Sequence, residues 1–250
     1  MRSLLNIPLF FSLVLLIASC SKDGAGANAN STGGVGTGGS LARFTIAANH
    51  LYLADYRTIG VYDLADPNNP VQKSPVNVGF NIETIFPYQD KLFIGSTTGM
   101  FIYSIANPSS PVKLGMVQHL RSCDPVVANG TTAYVTLKGG TPCGTAEDGL
   151  YIYDVSNAMT PVQKSLFRLS NPGGLGIKDS VVFICRGNSG MSLVNVKNPS
   201  SPQMMYTVND GSYLDVIPYG NLLICYVASG LLIYDISNLN QVQKVGMVNY

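Results

Sequence analysis

The sequence predicts an all-β fold, a β-propeller of five blades with four antiparallel strands each, and three observations carry that prediction. The first is a phrase that recurs five times after position 40. It reads GVYDLADPNNPV from Gly60, GMFIYSIANPSSPV from Gly99, GLYIYDVSNAMTPV from Gly149, GMSLVNVKNPSSP from Gly190 and GLLIYDISNLNQV from Gly230. The equivalent positions Asp63, Ser104, Asp154, Asn195 and Asp235 stand 41, 50, 41 and 40 residues apart. A fixed period near forty marks a stacked or radial repeat fold. The second observation is that each repeat divides into four short apolar runs. In the last copy these are SYLDVIP, NLLICYV, GLLIYDIS and VQKVGMVN. They are rich in Val, Ile, Leu and Tyr, bounded by Gly, Asn and Asp, and suit strands buried on both faces. The third is the lack of any 3.6-residue apolar stripe sustained over ten residues, with Pro and Gly punctuating too often for helix.

A lone four-stranded sheet of this composition would leave two apolar faces wet. Blades packed around an axis cover both. The alternative that also stacks such units is an open β-solenoid. Each blade is complete within its own repeat, so ring closure is expected to rest on packing of blade 1 against blade 5, without an exchanged strand. The residues of the recurring phrase have a turn role. Asp63, Asp154, Asn195 and Asp235 end a strand and can accept from backbone N–H groups two residues on. The following Asn-Pro step then fixes the turn.

The end-of-repeat phrase resembles the LVIVD repeat family of bacterial and archaeal surface proteins. The match is clean in SIANPSSPV and VKNPSSP and blurred at Gln241-Val242, where the proline is missing. The resemblance implies a propeller at the cell envelope and brings no established catalytic residues with it.

The N-terminus supports the same address. Arg2 precedes an apolar stretch from Leu4 to Ile17, too short to span a bilayer comfortably. It ends in Ile17-Ala18-Ser19-Cys20, which looks like a lipobox. Residues 1–19 are then a lipoprotein signal peptide, Cys20 is the acylated residue, and the membrane is a partner through that lipid. Ser21 after the acylated cysteine favours the outer membrane, with the domain exposed at the surface as one arrangement. Residues 20–40 are Gly-, Ser- and Asn-rich and read as a flexible linker of roughly 25 Å root-mean-square reach. Residues 41–250 form the propeller. Net charge is +1 and only 12% of residues are charged, which removes nucleic acid from the partners.

Four further cysteines remain. Cys123 opens the first strand of blade 3, and Cys143 sits in LKGGTPCGTAEDG, an insertion that makes this repeat nine residues longer. Both fall on one end of the blade, and outside the cytoplasm a disulfide between them is expected. Cys185 and Cys225 occupy matching places on second strands, in sheets about 10 Å apart, too far for a bridge, and read as core residues.

The insertion singles out one face, made of the loops before the first strands and between the second and third strands. Aligned first strands place Arg43, Thr84, Asp124, Leu175 and Asp215 at one ring position by the channel mouth. Glu83, Arg121, Tyr213 and the loop residues Asp55, Arg57, Lys138, Asp148 and Arg186 lie near. Mixed charge with tyrosine suits an unidentified protein or glycan ligand. The expected function is a non-catalytic binding scaffold. The alternative is a glycosidase or lyase using Asp124 and Asp215, which needs two carboxylates about 5–9 Å apart. His50 and His119 stand apart, without metal-ligand or triad spacing. No cofactor is expected, with Ca²⁺ at Asp124 and Asp215 as the minor alternative.

Overall fold

Strand runs of β-branched and aromatic residues, cut at regular intervals by Asx turns, fold into five sheets in a computed structural model that describes residues 38–79, 81–118, 125–140 and 147–249. Blade 2 comprises Ile82–Tyr88, Lys91–Ser96, Gly99–Ser104 and Val112–Gln118. Blade 3 comprises Val126–Asn129, Thr132–Leu137, Gly149–Asp154 and Val162–Arg168. Blade 4 runs through Leu175–Lys178, Val181–Cys185, Met191–Asn195 and Gln203–Val208, and blade 5 through Tyr213–Tyr219, Leu222–Val227, Gly230–Asp235 and Gln243–Asn249. Each is an antiparallel meander within its own repeat. Blade 1 (Phe44–Ala47, His50–Asp55, Thr58–Asp63) has its outer strand split into Val71–Gln72 and Val76–Asn77. Pro75 between the pieces lacks the N–H that would continue the ladder.

The recurring phrase does the turn work expected of it. Asp63, Asp154, Asn195 and Asp235 accept from the N–H two residues on at 2.8–2.9 Å, and the Ser104 hydroxyl does so at 3.2 Å. A second Asx turn follows each, on Asp66, Asn107, Asn157, Asn198 and Asn238. Blades 2 to 5 also share a bulge in the outer strand, at Leu114, Lys164, Met205 and Val245.

The core lies between blades. Four apolar clusters fill the interfaces of blades 1 and 2, 2 and 3, 3 and 4, and 4 and 5. A polar contact at the turn end repeats with them. Tyr52 donates to Pro108 O at 2.8 Å, Ser165 to Pro199 O at 2.6 Å, and Tyr206 to Leu239 O at 3.1 Å. Between blades 2 and 3 the approach is closer still. A Cβ on Gly115 would lie 2.1 Å from Ala158 O, so only glycine fits there.

Two expectations need correction. Cys185 and Cys225 are buried core thiols as anticipated, but not in one register. Cys185 pairs with Met191 and Cys225 with Leu232, one step apart, so both point into the interface of blades 4 and 5 from opposite sides. The terminal blades also do not cover one another as expected. Phe44, Ile46 and Leu53 of blade 1 and Tyr219, Leu222 and Tyr226 of blade 5 stay exposed. The two blades are joined at the axis instead, by residues ahead of the first strand.

Candidate functional site

Small residues at Gly38-Gly39-Ser40 do not behave as linker. Gly39–Ala42 form a turn inside the channel, closed by Ala42 N donating to Gly39 O at 3.1 Å. Gly39 and Ser40 are buried. A Cβ on Gly39 would lie 2.2 Å from an Asp215 oxygen, which is why a glycine stands there. The Ser40 hydroxyl donates to Asp215 Oδ1 at 3.0 Å and accepts from Leu175 N at 2.7 Å. Leu41 N donates to Asp215 Oδ2 at 3.2 Å, and Val216 N to Oδ1 at 3.0 Å. Ala42 O accepts from Ile85 N at 2.9 Å. The turn therefore ties blades 2, 4 and 5 to the start of blade 1. Burial pushes the Asp215 carboxyl above its ordinary range, against the pull of these hydrogen bonds.

The turn separates two cavities. One, of about 340 Å³, opens at the end of the first strands and is lined by Gly38, Phe86, Tyr88, Val127, Lys178 and Val216 among others. The other, of about 530 Å³, opens on the face singled out by the insertion. Its walls are largely apolar: Leu41, Pro125, Pro172, Gly173, Gly174, the Tyr213 side and Leu214. Arg43, Glu83, Lys138 and Asn171 provide the polar lining. Arg43 Nη2 donates to Ile82 O at 3.4 Å. Burial raises the Glu83 carboxyl, with the Arg43 charge opposing. Both also line a neighbouring hollow of about 290 Å³ with Tyr56 and Asn81.

Residues 170–210 and 211–249 each match the model of the LVIVD repeat. The matched spans are those of blades 4 and 5. A search of curated proteins finds no match. Among solved structures, the periplasmic gluconolactonase of Pseudomonas aeruginosa superposes with a TM-score of 0.62 at 13% identity, over 80% of this chain and 67% of that one. A functionally unknown protein from Desulfotomaculum acetoxidans gives 0.67 at 8% identity, over 81% and 67%. BamB from Moraxella catarrhalis gives 0.57 at 11% identity, over 82% of this chain and 60% of that one. At such identities the likeness is one of fold, and the neighbours are β-propellers.

Blades 3 to 5 supply the polar scaffolding of the cavity rim. Arg186 is engaged with neutral oxygens, its Nε and Nη2 donating to Ser170 O and Oγ at 2.9 and 2.8 Å and its Nη1 to Ser192 Oγ at 3.2 Å. It fastens the loop before Met191 to the loop before Leu175 and does not line the cavity. Asn171, with φ of 56°, donates from Nδ2 to Arg186 O at 2.9 Å. Asp148 holds both Gly139 N and Asn171 N at 2.7 Å. Tyr213 lines the wall with its ring side, while its hydroxyl donates to Asp210 and sits 2.5 Å from Tyr234 Oη. Tyr234 also donates to Asp210 Oδ1 at 2.5 Å, and Lys244 Nζ lies 3.4 Å from Oδ2. Burial resists ionisation of Asp210, yet the two phenols and Lys244 overcome it and hold the carboxyl below its usual range.

Of the residues chosen from sequence, the structure brings Arg43, Glu83, Lys138 and Tyr213 to one cavity. Asp55, the last residue of the second strand of blade 1, and Arg57 in the loop after it are exposed and lie outside it. Asp215 is spent on the channel turn. Arg121, Asp124, Cys123, Cys143 and Cys20 lie outside the described residues. The ring position needs correction in blades 3 and 4. Asn129 pairs with Thr132 and Lys178 with Val181, so the ladders place Pro125 and Gly174 level with Thr84, one residue away from Asp124 and Leu175. Asn171-Pro172-Gly173-Gly174 was missed as cavity wall, although its turn-forming composition marks it as a tight loop at the right end of a blade. Among the described residues, no three His, Cys, Asp or Glu side chains group as a metal site would require. Nor is any helix there long and apolar enough to cross a membrane.

Proposed function

We propose that the chain is a non-catalytic binding module of the cell envelope that takes an extended protein segment into the 530 Å³ cavity. The observation that carries this reading is the lining itself, an apolar floor of prolines, glycines, Leu41 and Leu214 beneath Arg43, Glu83 and Lys138. Such a lining accepts an apolar side chain while the rim charges orient a polar backbone. Asp215, one of the two carboxylates a hydrolytic reading needs, faces the channel turn and leaves the cavity without it.

The same proposal places the protein as a lipoprotein of the outer membrane, acylated at Cys20. Calorimetric titration of residues 33–250, which form one compact unit, against a library of apolar-anchored peptides tests the binding. Saturable binding weakened at least about tenfold by Leu214→Asp and by Arg43→Glu is expected. Hydrolysis of a glycan panel without such binding would overturn the reading. Acyl-chain labelling of the full chain, lost in Cys20→Ala, tests the anchor.

A further inference from the structure

Two first strands break their ladders at the same place. In blade 2 the pairing steps from Ile82 with Ser96 to Thr84 with Gly95, and in blade 5 from Tyr213 with Val227 to Asp215 with Tyr226. Glu83 and Leu214 are the extra residues, left out of the pairing, and a bulge of this kind re-aims the side chain it carries. Leu214 lines the 530 Å³ cavity. Glu83 lines both that cavity and the 290 Å³ hollow beside it, and Arg43 is the other residue common to both linings. The two spaces therefore share a wall that carries one guanidinium and one carboxyl group.

The hollow belongs to blade 1 and the start of blade 2, and its remaining lining is Tyr56, Asn81 and Ile82. Ile82 N donates to Tyr56 O at 2.6 Å and Ala54 N to Arg43 O at 2.7 Å, which fixes the backbone around it. Tyr56 has φ of 45° in the two-residue turn between Asp55 and Thr58. Glycine takes that conformation readily and a bulky side chain does not. Among the described residues no other aromatic adopts it. Tyr56 is also 67% exposed, so core packing does not explain the choice. Backbone strain of this kind collects at ligand sites, where the position of the side chain is what is kept.

The shared wall reads one functional group best. A guanidinium offers only donors and a carboxylate only acceptors. Among the described residues Arg43 makes a single side-chain hydrogen bond, to Ile82 O at 3.4 Å, and its other N–H groups remain for a ligand. Burial works against the Glu83 charge while Arg43 works for it. An acidic ligand side chain would suit Arg43 and oppose Glu83, and a basic one the reverse. A primary amide carries a carbonyl acceptor and NH₂ donors on one planar group, and satisfies both. We propose that the 290 Å³ hollow is a second subsite, which takes the side-chain amide of a Gln or Asn two residues from the apolar residue in the larger cavity. This rests on the binding of an extended protein segment proposed above. In such a segment, residues two apart point the same way and stand about 7 Å from one another, as two adjoining spaces with a common wall require.

Calorimetric titration of the full chain at pH 7 with end-capped pentapeptides tests this. The set carries Leu, Met or Phe at the second position and Gln, Asn, Glu, Lys or Ala at the fourth, together with the same pairs in reverse order. The Gln or Asn members are expected to bind at least about tenfold more tightly than the Ala members, because hydrogen bonds to two charged groups are at stake. They should also surpass the Glu and Lys members. Glu83→Gln leaves Arg43 as the one charge of the wall and should move the preference to the Glu peptides. Arg43→Gln leaves Glu83 and should move it to the Lys peptides. A side chain that only supported the fold would not exchange preferences in this way, and unchanged circular dichroism and melting temperature confirm folding. Peptides that bind equally well with Gln, Glu, Lys or Ala beside the apolar residue would overturn the subsite and leave the binding module standing. If no peptide binds, or only oligomers of an N-acetylated sugar do, both readings fail.

Discussion

Ser40→Ala removes one oxygen from the axis of the molecule and asks whether the Gly39–Ala42 turn holds the propeller together. Two hydrogen bonds go with it. Leu175 N loses its acceptor at a fully buried position, and Asp215 loses a donor. An orphaned buried amide costs about 1–3 kcal/mol, and a hydrogen bond to a charged group contributes about 1.5–3 kcal/mol. Taking the low side of both for a site open to small relaxations gives about 2.5 kcal/mol. For a domain of this size that corresponds to a fall of about 5–10 °C in melting temperature. Thermal unfolding of residues 33–250 followed by circular dichroism at pH 7 reads it directly. The pH dependence adds a second constraint. Burial holds the folded Asp215 carboxyl above its ordinary value. Its contribution is therefore fully present below the unfolded value of about 3.9 and is lost as pH rises through the folded one. Ser40→Ala withdraws a hydrogen bond that favours the carboxylate and raises the folded value further. The gap between wild type and variant should widen from pH 4 to pH 7. A melting temperature within 2 °C of wild type at pH 7, or a gap that does not change with pH, would refute the reasoning.

Tyr206→Phe deletes the hydroxyl that donates to Leu239 O and accepts from Val242 N; a loss of about 1.5 kcal/mol by urea unfolding is expected, and none would mean the blade 4 to 5 turn contact is idle. Asp154→Asn keeps the turn acceptor but not the charge. Hydrogen bonds from Ser156 and the Lys164 ion pair at 3.0 Å hold the Asp154 carboxyl below its usual range, so the wild-type advantage should be present at pH 7 and vanish as pH falls below about 4. Burial pushes the Cys185 and Cys225 thiols up, and peptide mapping after thiol labelling should find neither modified until the protein is denatured.

Much of this architecture could be read from the chain because it is local. An Asp or Asn ending a strand makes its turn with the amide two residues on, wherever it sits, and five copies of that chemistry fix the period and the strand order. What was not legible depends on non-local choices. Whether Asp124 or Pro125 faces the ring is decided by a one-residue step in the ladder of blade 3, and a step of one exchanges faces. The composition of Gly38-Gly39-Ser40 is that of a linker, yet the same small residues are what a channel axis admits when an Asp215 oxygen would lie 2.2 Å from any Cβ on Gly39. Periodicity is likewise silent on the terminal faces. Phe44 and Ile85 stand at equivalent places with similar chemistry, and only the presence of a neighbouring blade separates an exposed residue from a buried one.

The channel turn also decides how the candidate cavity works. Without it, the axis would be a passage from one end of the propeller to the other, walled by first strands. With Ser40 bonded to Leu175 N and Asp215, and Leu41 lining the larger cavity, the turn stands between that cavity and the one lined by Gly38. Leu41 of the turn lines the larger cavity and Gly38, just before the turn, lines the other. The same four residues carry the only hydrogen-bonded link described between the start of blade 1 and blade 5. A change that loosens them should therefore alter pocket shape and the spacing of the two terminal faces together.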